Sequence, residues 1–300
     1  MKRTHSLLLS TFVLGSTLAP QAYGALLAYE GFDYASGSTL VGQNGGFGFV
    51  TPWGASTGTG NITSPGMSYD SVQVSGNRLY VQGTSGGTFA SFRDLASARG
   101  TDGTTTWISL MGVRTGTTSS TNGPGGAPSL LRPTNLAFFD VGSERIAFGE
   151  GTRNTALSRP DDDVWGIVVA GAVDNAQTDW TTSSLLVESF ALVRIDHGAG
   201  NVDTAWLWIN PSLSAEPDVA TAMAMSTGNF TFNRIRPFAG NPNAASGNIG
   251  AEGYFDEIRI GETFNDVTLA PIPEPSTFAM FGLGALFLGW QMMRRRRNRD

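Results

Sequence analysis

The chain predicts an all-β, antiparallel β-sandwich, and three observations carry that prediction. Short apolar runs rich in Val, Ile, Phe, Tyr, Trp and Thr recur through residues 25–270, the composition of half-buried strands. Clusters of Gly, Ser, Thr, Asn and Pro separate them, the residues that turn a chain. No segment keeps a helical period over three turns, and Asp218–Met225 is the one modest helical candidate. Strands at this spacing without intervening helices build a sandwich or a barrel. Residues 25–270 suffice for one domain with a substantial core. Within it, Gly116–Pro128 reads as a long surface loop rather than a linker.

Taken in order, the chain opens with Lys2 and Arg3, the apolar stretch Leu7–Leu18 and the small-x-small triplet Ala22-Tyr23-Gly24. This is the pattern of a secretory signal peptide over residues 1–24. It calls for the general secretion machinery and a signal peptidase cutting after Gly24, with Ala22 as the second site. The first strand candidates are Leu26–Phe32, Gly46–Thr51, Ser68–Val74, Arg78–Gln82 and Thr88–Phe92. Next come Thr105–Val113, Asn135–Asp140, Glu144–Phe148 and Trp165–Ala170. Leu185–Ile195, Thr204–Ile209, Asn229–Phe232 and Gly253–Ile260 complete the set.

Charge and composition exclude several functions. Of 19 Lys and Arg and 25 Asp and Glu, the two ends hold seven and two, leaving twelve against 23 in residues 25–270. That excess of eleven negative charges, with no lysine after Lys2, argues against a nucleic-acid partner, because phosphate neutralisation dominates such binding. The chain has no cysteine, so disulfides, thiol catalysis and thiolate metal sites are ruled out. His5 leaves with the signal peptide, so His197 alone remains, too few for a multi-histidine zinc site in one chain. Carboxylate chemistry, or a serine with His197, is what is left for catalysis.

The C-terminus carries the most specific signal. Pro273-Glu274-Pro275 is followed by a nearly uncharged apolar run, Thr277–Met293, and then by Arg294, Arg295, Arg296, Arg297 and Arg299. The run is at the short end of what crosses a hydrocarbon core as a helix, and the arginines hold its far end in the cytoplasm. A buried core helix is the alternative, but it needs no arginine cluster. The prolines make a rigid, extended segment ahead of the span. These three parts in this order resemble the PEP-CTERM sorting signal of exported proteins of Gram-negative bacteria, many of which make exopolysaccharide. The resemblance covers residues 271–300 and implies recognition by an exosortase-type membrane protease, with a cut near the triplet. It thus divides the chain into signal peptide 1–24, ectodomain 25–270 and sorting tail 271–300.

Two further stretches resemble the concanavalin-like and laminin-G-like jelly rolls. Tyr254-Phe255-Asp256-Glu257-Ile258-Arg259-Ile260-Gly261 is similar to the closing strand of that group, which implies pairing with the first strand, Leu26–Phe32. Ala205-Trp206-Leu207-Trp208-Ile209-Asn210-Pro211 is similar to a strand and turn in exported members. Its expected partner is Leu192–Asp196. A shared fold does not give function.

Candidate sites are weighed against plainer readings. Gly83-Thr84-Ser85-Gly86-Gly87 looks like a serine-nucleophile loop, yet a hairpin turn between Arg78–Gln82 and Thr88–Phe92 explains its glycines. His197, between two strands in a Gly, Asn and Asp context, is either a general base at a loop tip or a solvated turn residue. Glu257 with Glu262, or Glu144 with Glu150, could be glycosidase pairs, but the compact carboxylate strand motif of jelly-roll glycosidases is absent. Asp256 and Glu257 are better read as bonded to neighbouring strands or loops, or to Arg259. Asp161, Asp162 and Asp163, with Asp174, Asn175 and Asp179 nearby, form the calcium candidate, though their spacing matches no defined loop and three adjacent aspartates are usually a solvated turn. Calcium is the one cofactor considered; otherwise none is expected. Trp107, Trp165, Trp206 and Trp208 are assigned to the core. Trp53 and Trp180, among turn residues, could stack on a glycan or fold back over the core. The resulting expectation is a non-enzymatic, exported envelope or exopolysaccharide-matrix protein. A lectin-like carbohydrate-binding module is the alternative, and a glycoside hydrolase comes third.

Overall fold

The computed structural model describes residues 26–116, 132–151, 163–169, 178–242 and 250–268. The signal-peptide residues 1–24, the core of the 116–128 loop, Asp161, Asp162, Asp174, Asn175 and the whole 271–300 tail lie outside the described residues. Two antiparallel sheets pack face to face. The larger, eight-stranded one runs β13 (Ala224–Gly228), β12 (Asp203–Ile209), β11 (Ser189–Asp196), β6 (Thr105–Thr115), β15 (Glu252–Gly261), β3 (Arg78–Gln82), β2 (Thr59–Thr63), with β1 (Leu26–Glu30) also on β15. The seven-stranded one runs β10 (Asp179–Ser184), β9 (Val164–Val169), β8 (Ser143–Gly149), β7 (Thr134–Asp140), β14 (Phe232–Ala239), β4 (Phe89–Ala90), with β5 (Arg93–Arg99) also on β14. One short helix, α1 (Phe264–Thr268), follows β15.

Alternation along the strands builds the core. On β11 and β12, Ala191, Val193, Ile195, Ala205 and Leu207 face the opposite sheet, where they meet Phe138, Phe148, Trp165 and Ile167. The intervening Phe190, Leu192 and Trp208 form a second apolar cluster on the outer face with Trp107, Met111, Leu213 and Phe264. Strands apolar on both faces must be covered on both. Residues 67–72, the segment around Leu213 and helix α1 supply that outer cover.

The pairing of last strand with first is present: Tyr29 lies opposite Arg259 and Glu30 opposite Ile258. So is the pairing of β12 with β11, Trp206 opposite Arg194 and Trp208 opposite Leu192. Other expectations are corrected. Asp218–Met225 is not a helix: Asp218 caps a single 3-10 turn, Val219–Thr221, and Ala224 then pairs with Leu207 at the sheet edge. Isolated short helices are marginal, so strand pairing captures the segment. Gly46–Thr51 forms only isolated bridges, because Gly46 and Gly48 sit at φ 65° and 82° and interrupt any ladder. Ser68–Val74 turns at Asp70, with Val72 N donating to Tyr69 O at 3.0 Å. Of Asn229–Phe232 only Phe232 is in a strand, as the first residue of β14.

The 83–87 loop makes a tight turn, Thr84 and Gly87 exchanging backbone bonds at 2.9 and 3.0 Å, but it does not join β3 and β4 as a hairpin. β3 belongs to the larger sheet and β4 to the smaller, so this loop crosses from one to the other. Gly83 makes the crossing close: its N–H donates to Ala251 O at 2.8 Å, and a Cβ there would meet Gly240 O at 2.0 Å.

Candidate functional site

The acids that a sequence reading offers for catalysis are drawn into pairs with arginine. Glu144 accepts from Arg236 Nη2 at 2.7 Å, and burial pushes that guanidinium below its ordinary value while Glu144 opposes the shift. Glu150 accepts from Arg114 Nη1 at 2.5 Å, and Asp163 lies 3.4 Å from Arg114 Nε. Asp163 is therefore a buried partner of an arginine rather than part of a solvated turn. Among the described residues, no group of three His, Cys, Asp or Glu could hold a metal ion.

Closing strand β15 works the same way. Glu257 accepts from Tyr29 Oη at 2.9 Å, Ser75 N at 2.7 Å and Arg259 Nη2 at 2.9 Å. Asp256 accepts from Met67 N at 2.7 Å. A register shift between Asp256 and Arg259, with Glu257 at φ 50°, lets these side chains reach the 67–75 segment. The Asp-Glu-x-Arg pattern thus fastens a loop, as its sequence suggested. Glu262, its proposed partner acid, pairs instead with Arg99 at 3.4 Å.

His197 is neither a loop-tip base nor solvated. Its ring is buried, with Nε2 2.9 Å from Thr106 Oγ1 and Nδ1 3.4 Å from Asp203 Oδ2. The exposed turn falls beyond it, at Gly200 and Asn201, where φ is 75° and 61°.

Trp53 takes the second of its two readings and folds over the core. It is 1 % exposed, its Nε1 donates to Glu30 Oε2 at 2.9 Å, and Phe32 stacks on it at 6.1 Å. No sugar can reach it. Trp180 is half-buried on β10 and lies over the glycine of the next strand, where a Cβ on Gly166 would meet its Cε3 at 2.3 Å. Beside it the outer face of the smaller sheet packs on itself: Arg236 sits 4.6 Å from the Phe139 ring centre and 4.3 Å from that of Phe238. Trp107, Trp165 and Trp208 are core, as expected, but Trp206 is only partly covered.

The outer face of the larger sheet is open around Trp206. Met225, Trp206, Arg194 and Trp107 stand opposite one another in one row across β13, β12, β11 and β6. The Arg194 guanidinium carbon lies 5.7 Å from the ring centres of both Trp107 and Trp206. Asp196 holds Arg194 through two bonds, Nε to Oδ1 at 2.8 Å and Nη2 to Oδ2 at 2.9 Å, and Glu216 takes Nη1 at 3.2 Å. Sequence reading missed this cluster because strand alternation reports which face a residue takes, not whether anything covers it.

With the geometry in place, comparison with known proteins adds one specific match. Residues 271–297 match the PEP-CTERM protein-sorting motif. The chain carries this sorting signal. The motif implies export, a membrane-anchored precursor and processing by a sorting protease, an exosortase. No curated protein matches the chain. Among solved structures, an alginate lyase Aly36B mutant in complex with alginate tetrasaccharide is similar at 10 % identity and TM-score 0.42, covering 80 % of this chain and 98 % of its own. An endo-β-1,4-glucuronan lyase from the fungus Trichoderma reesei stands at 13 % identity and TM-score 0.34, covering 70 % and 90 %. A pseudo β-1,3-glucanase of Mycobacterium tuberculosis stands at 15 % and 0.36, covering 80 % and 100 %. Likeness this distant has no bearing on activity. The apolar run 277–293 lies outside the described residues, and among those described no helix is long and apolar enough to cross a membrane.

Proposed function

We propose that this PEP-CTERM chain is a non-enzymatic protein of the cell envelope or exopolysaccharide matrix. Signal peptidase removes residues 1–24, the span 277–293 holds the precursor with Arg294–Arg297 in the cytoplasm, and an exosortase cuts near Pro273-Glu274-Pro275. The observation that carries the sorting half is the order triplet, apolar run, arginine cluster within the matched motif. Thr268, the last described residue, is buried. Five further residues reach at most about 18 Å to Pro273, so the cut site stays beside the sandwich.

What supports a role without catalysis is the engagement of the acids. Glu30, Glu144, Glu150 and Glu257 each face an arginine, whereas a glycosidase needs two carboxyl groups flanking an open substrate bond. The test is incubation of the purified protein with neutral and uronic-acid polysaccharides, followed by release of reducing ends and unsaturated products. Neither should exceed the buffer control. Release that disappears in Glu144→Gln or Glu150→Gln would overturn the non-enzymatic reading while leaving the sorting reading intact.

A further inference from the structure

We propose that the outer face of the eight-stranded sheet binds a neutral oligosaccharide, with Trp206 as stacking surface and Arg194, Asp196 and Glu216 as hydroxyl partners. This goes beyond the sorting role and assigns the ectodomain a ligand.

The argument starts from the row Met225, Trp206, Arg194, Trp107. Trp107 is covered by Phe264, whose ring meets it edge-on at 5.7 Å, whereas among the described residues no aromatic ring lies over Trp206, which is half-buried, and Met225 beside it is 50 % exposed. Arg194 braces the indole from one side. The result is a fixed aromatic plate at the surface, whose orientation need not be established on binding. An aromatic wall with a few oriented polar groups is the usual make-up of a small-ligand site.

The polar groups are fixed as well. Asp196 grips Arg194 at two points and also accepts from Thr105 Oγ1 at 2.8 Å. Three of the five guanidinium N–H groups are engaged with Asp196 and Glu216, which leaves two for a ligand. The carboxylates keep further lone pairs. Glu216 also lines a surface cleft of about 210 Å³ with Leu213, Ser214, Thr263, Phe264 and Asn265. The Arg194–Glu216 pair therefore links plate and cleft.

Charge selects the ligand class. One arginine stands between two carboxylates, so the patch carries a small net negative charge within a strongly acidic domain. A polyuronate or phosphate polymer would meet repulsion rather than attraction. A neutral polyol, with C–H faces for the indole and hydroxyls that both donate and accept, fits all three kinds of group.

The test is affinity electrophoresis of the full-length protein in detergent through gels holding a β-glucan, an α-glucan, a xylan, a mannan or alginate. At least one neutral polymer should retard it, and alginate should not. Trp206→Ala should weaken the retardation at least tenfold and Glu216→Gln several-fold, while Trp180→Ala leaves it unchanged. Circular dichroism on each variant establishes folding. Glu216 is half exposed, so its variant reports on the polar contacts even if Trp206→Ala misfolds. Retardation by no neutral polymer, by alginate alone, or undiminished in both Trp206→Ala and Glu216→Gln overturns the proposal.

Discussion

Arg93 donates to Oε2 of Glu30, 63 residues earlier in the chain, and both side chains are almost wholly withdrawn from water. The same carboxylate accepts from Tyr34 Oη at 2.8 Å, Trp53 Nε1 at 2.9 Å and Phe32 N at 2.9 Å. Arg93 in turn donates to Asn44 Oδ1 at 3.0 Å, Gly45 O at 2.7 Å and Thr51 O at 3.0 Å. One ion pair thus gathers the irregular 32–53 segment onto the edge of the sandwich.

Removing either partner strands the other charge in the interior. Glu30→Ala and Arg93→Ala should each cost about 3–5 kcal/mol, the usual penalty for a broken buried pair. The double variant Glu30→Met/Arg93→Met should cost less than the two single losses added together. Urea unfolding of the four proteins measures this, and additive losses would show that the pair is not coupled.

Asp256 gives the fold a pH dependence. Burial pushes its carboxyl up to about 8, against the lowering effect of the bond from Met67 N, and neighbouring Glu257 raises it further. The folded value lies above the unfolded one, so the folded state holds the proton more tightly. The associated stability is present below about pH 4 and is lost as pH rises toward 8. Thermal unfolding should therefore come at a lower temperature at pH 9 than at pH 6, and Asp256→Asn should flatten that difference. A wild-type midpoint that rises between pH 6 and pH 9 would contradict the assignment.

Much of the fold was legible because its signals are local. Arg78–Gln82 and Thr204–Ile209 are strands essentially where their β-branched and aromatic residues put them. What escaped depends on distant partners. Arg93–Arg99 does not read as a strand, since the charge of Arg93 is tolerated inside only because Glu30 is there. Trp53 sits between Pro52 and Gly54 like a turn residue, yet its partner Glu30 is 23 positions away. Phe47 and Phe49 alternate like a strand, while the glycines beside them take conformations that no ladder accepts. At the open face, Trp206 follows a strand period correctly, but its exposure depends on where helix α1 and the 213–216 segment happen to end.

The orientation of the tail follows from charge asymmetry across Thr277–Met293, since arginines beside a span remain cytoplasmic. A reporter fused after Asp300 should be active when it requires the cytoplasm and silent when it requires export. The opposite pattern would reverse the topology.

The account rests most on processing at the triplet. Replacing Pro273, Glu274 and Pro275 with alanine leaves the apolar run and the arginines intact, so membrane insertion should be unchanged while cutting stops. Mass spectrometry of membrane, envelope and secreted fractions from the native host is the direct measurement. Wild type should yield a membrane-held long form and a second form ending near Pro273–Ser276, and the triple variant only the long form. If both proteins appear solely at full length and in the same fractions, the tail is a plain anchor and the sorting account fails.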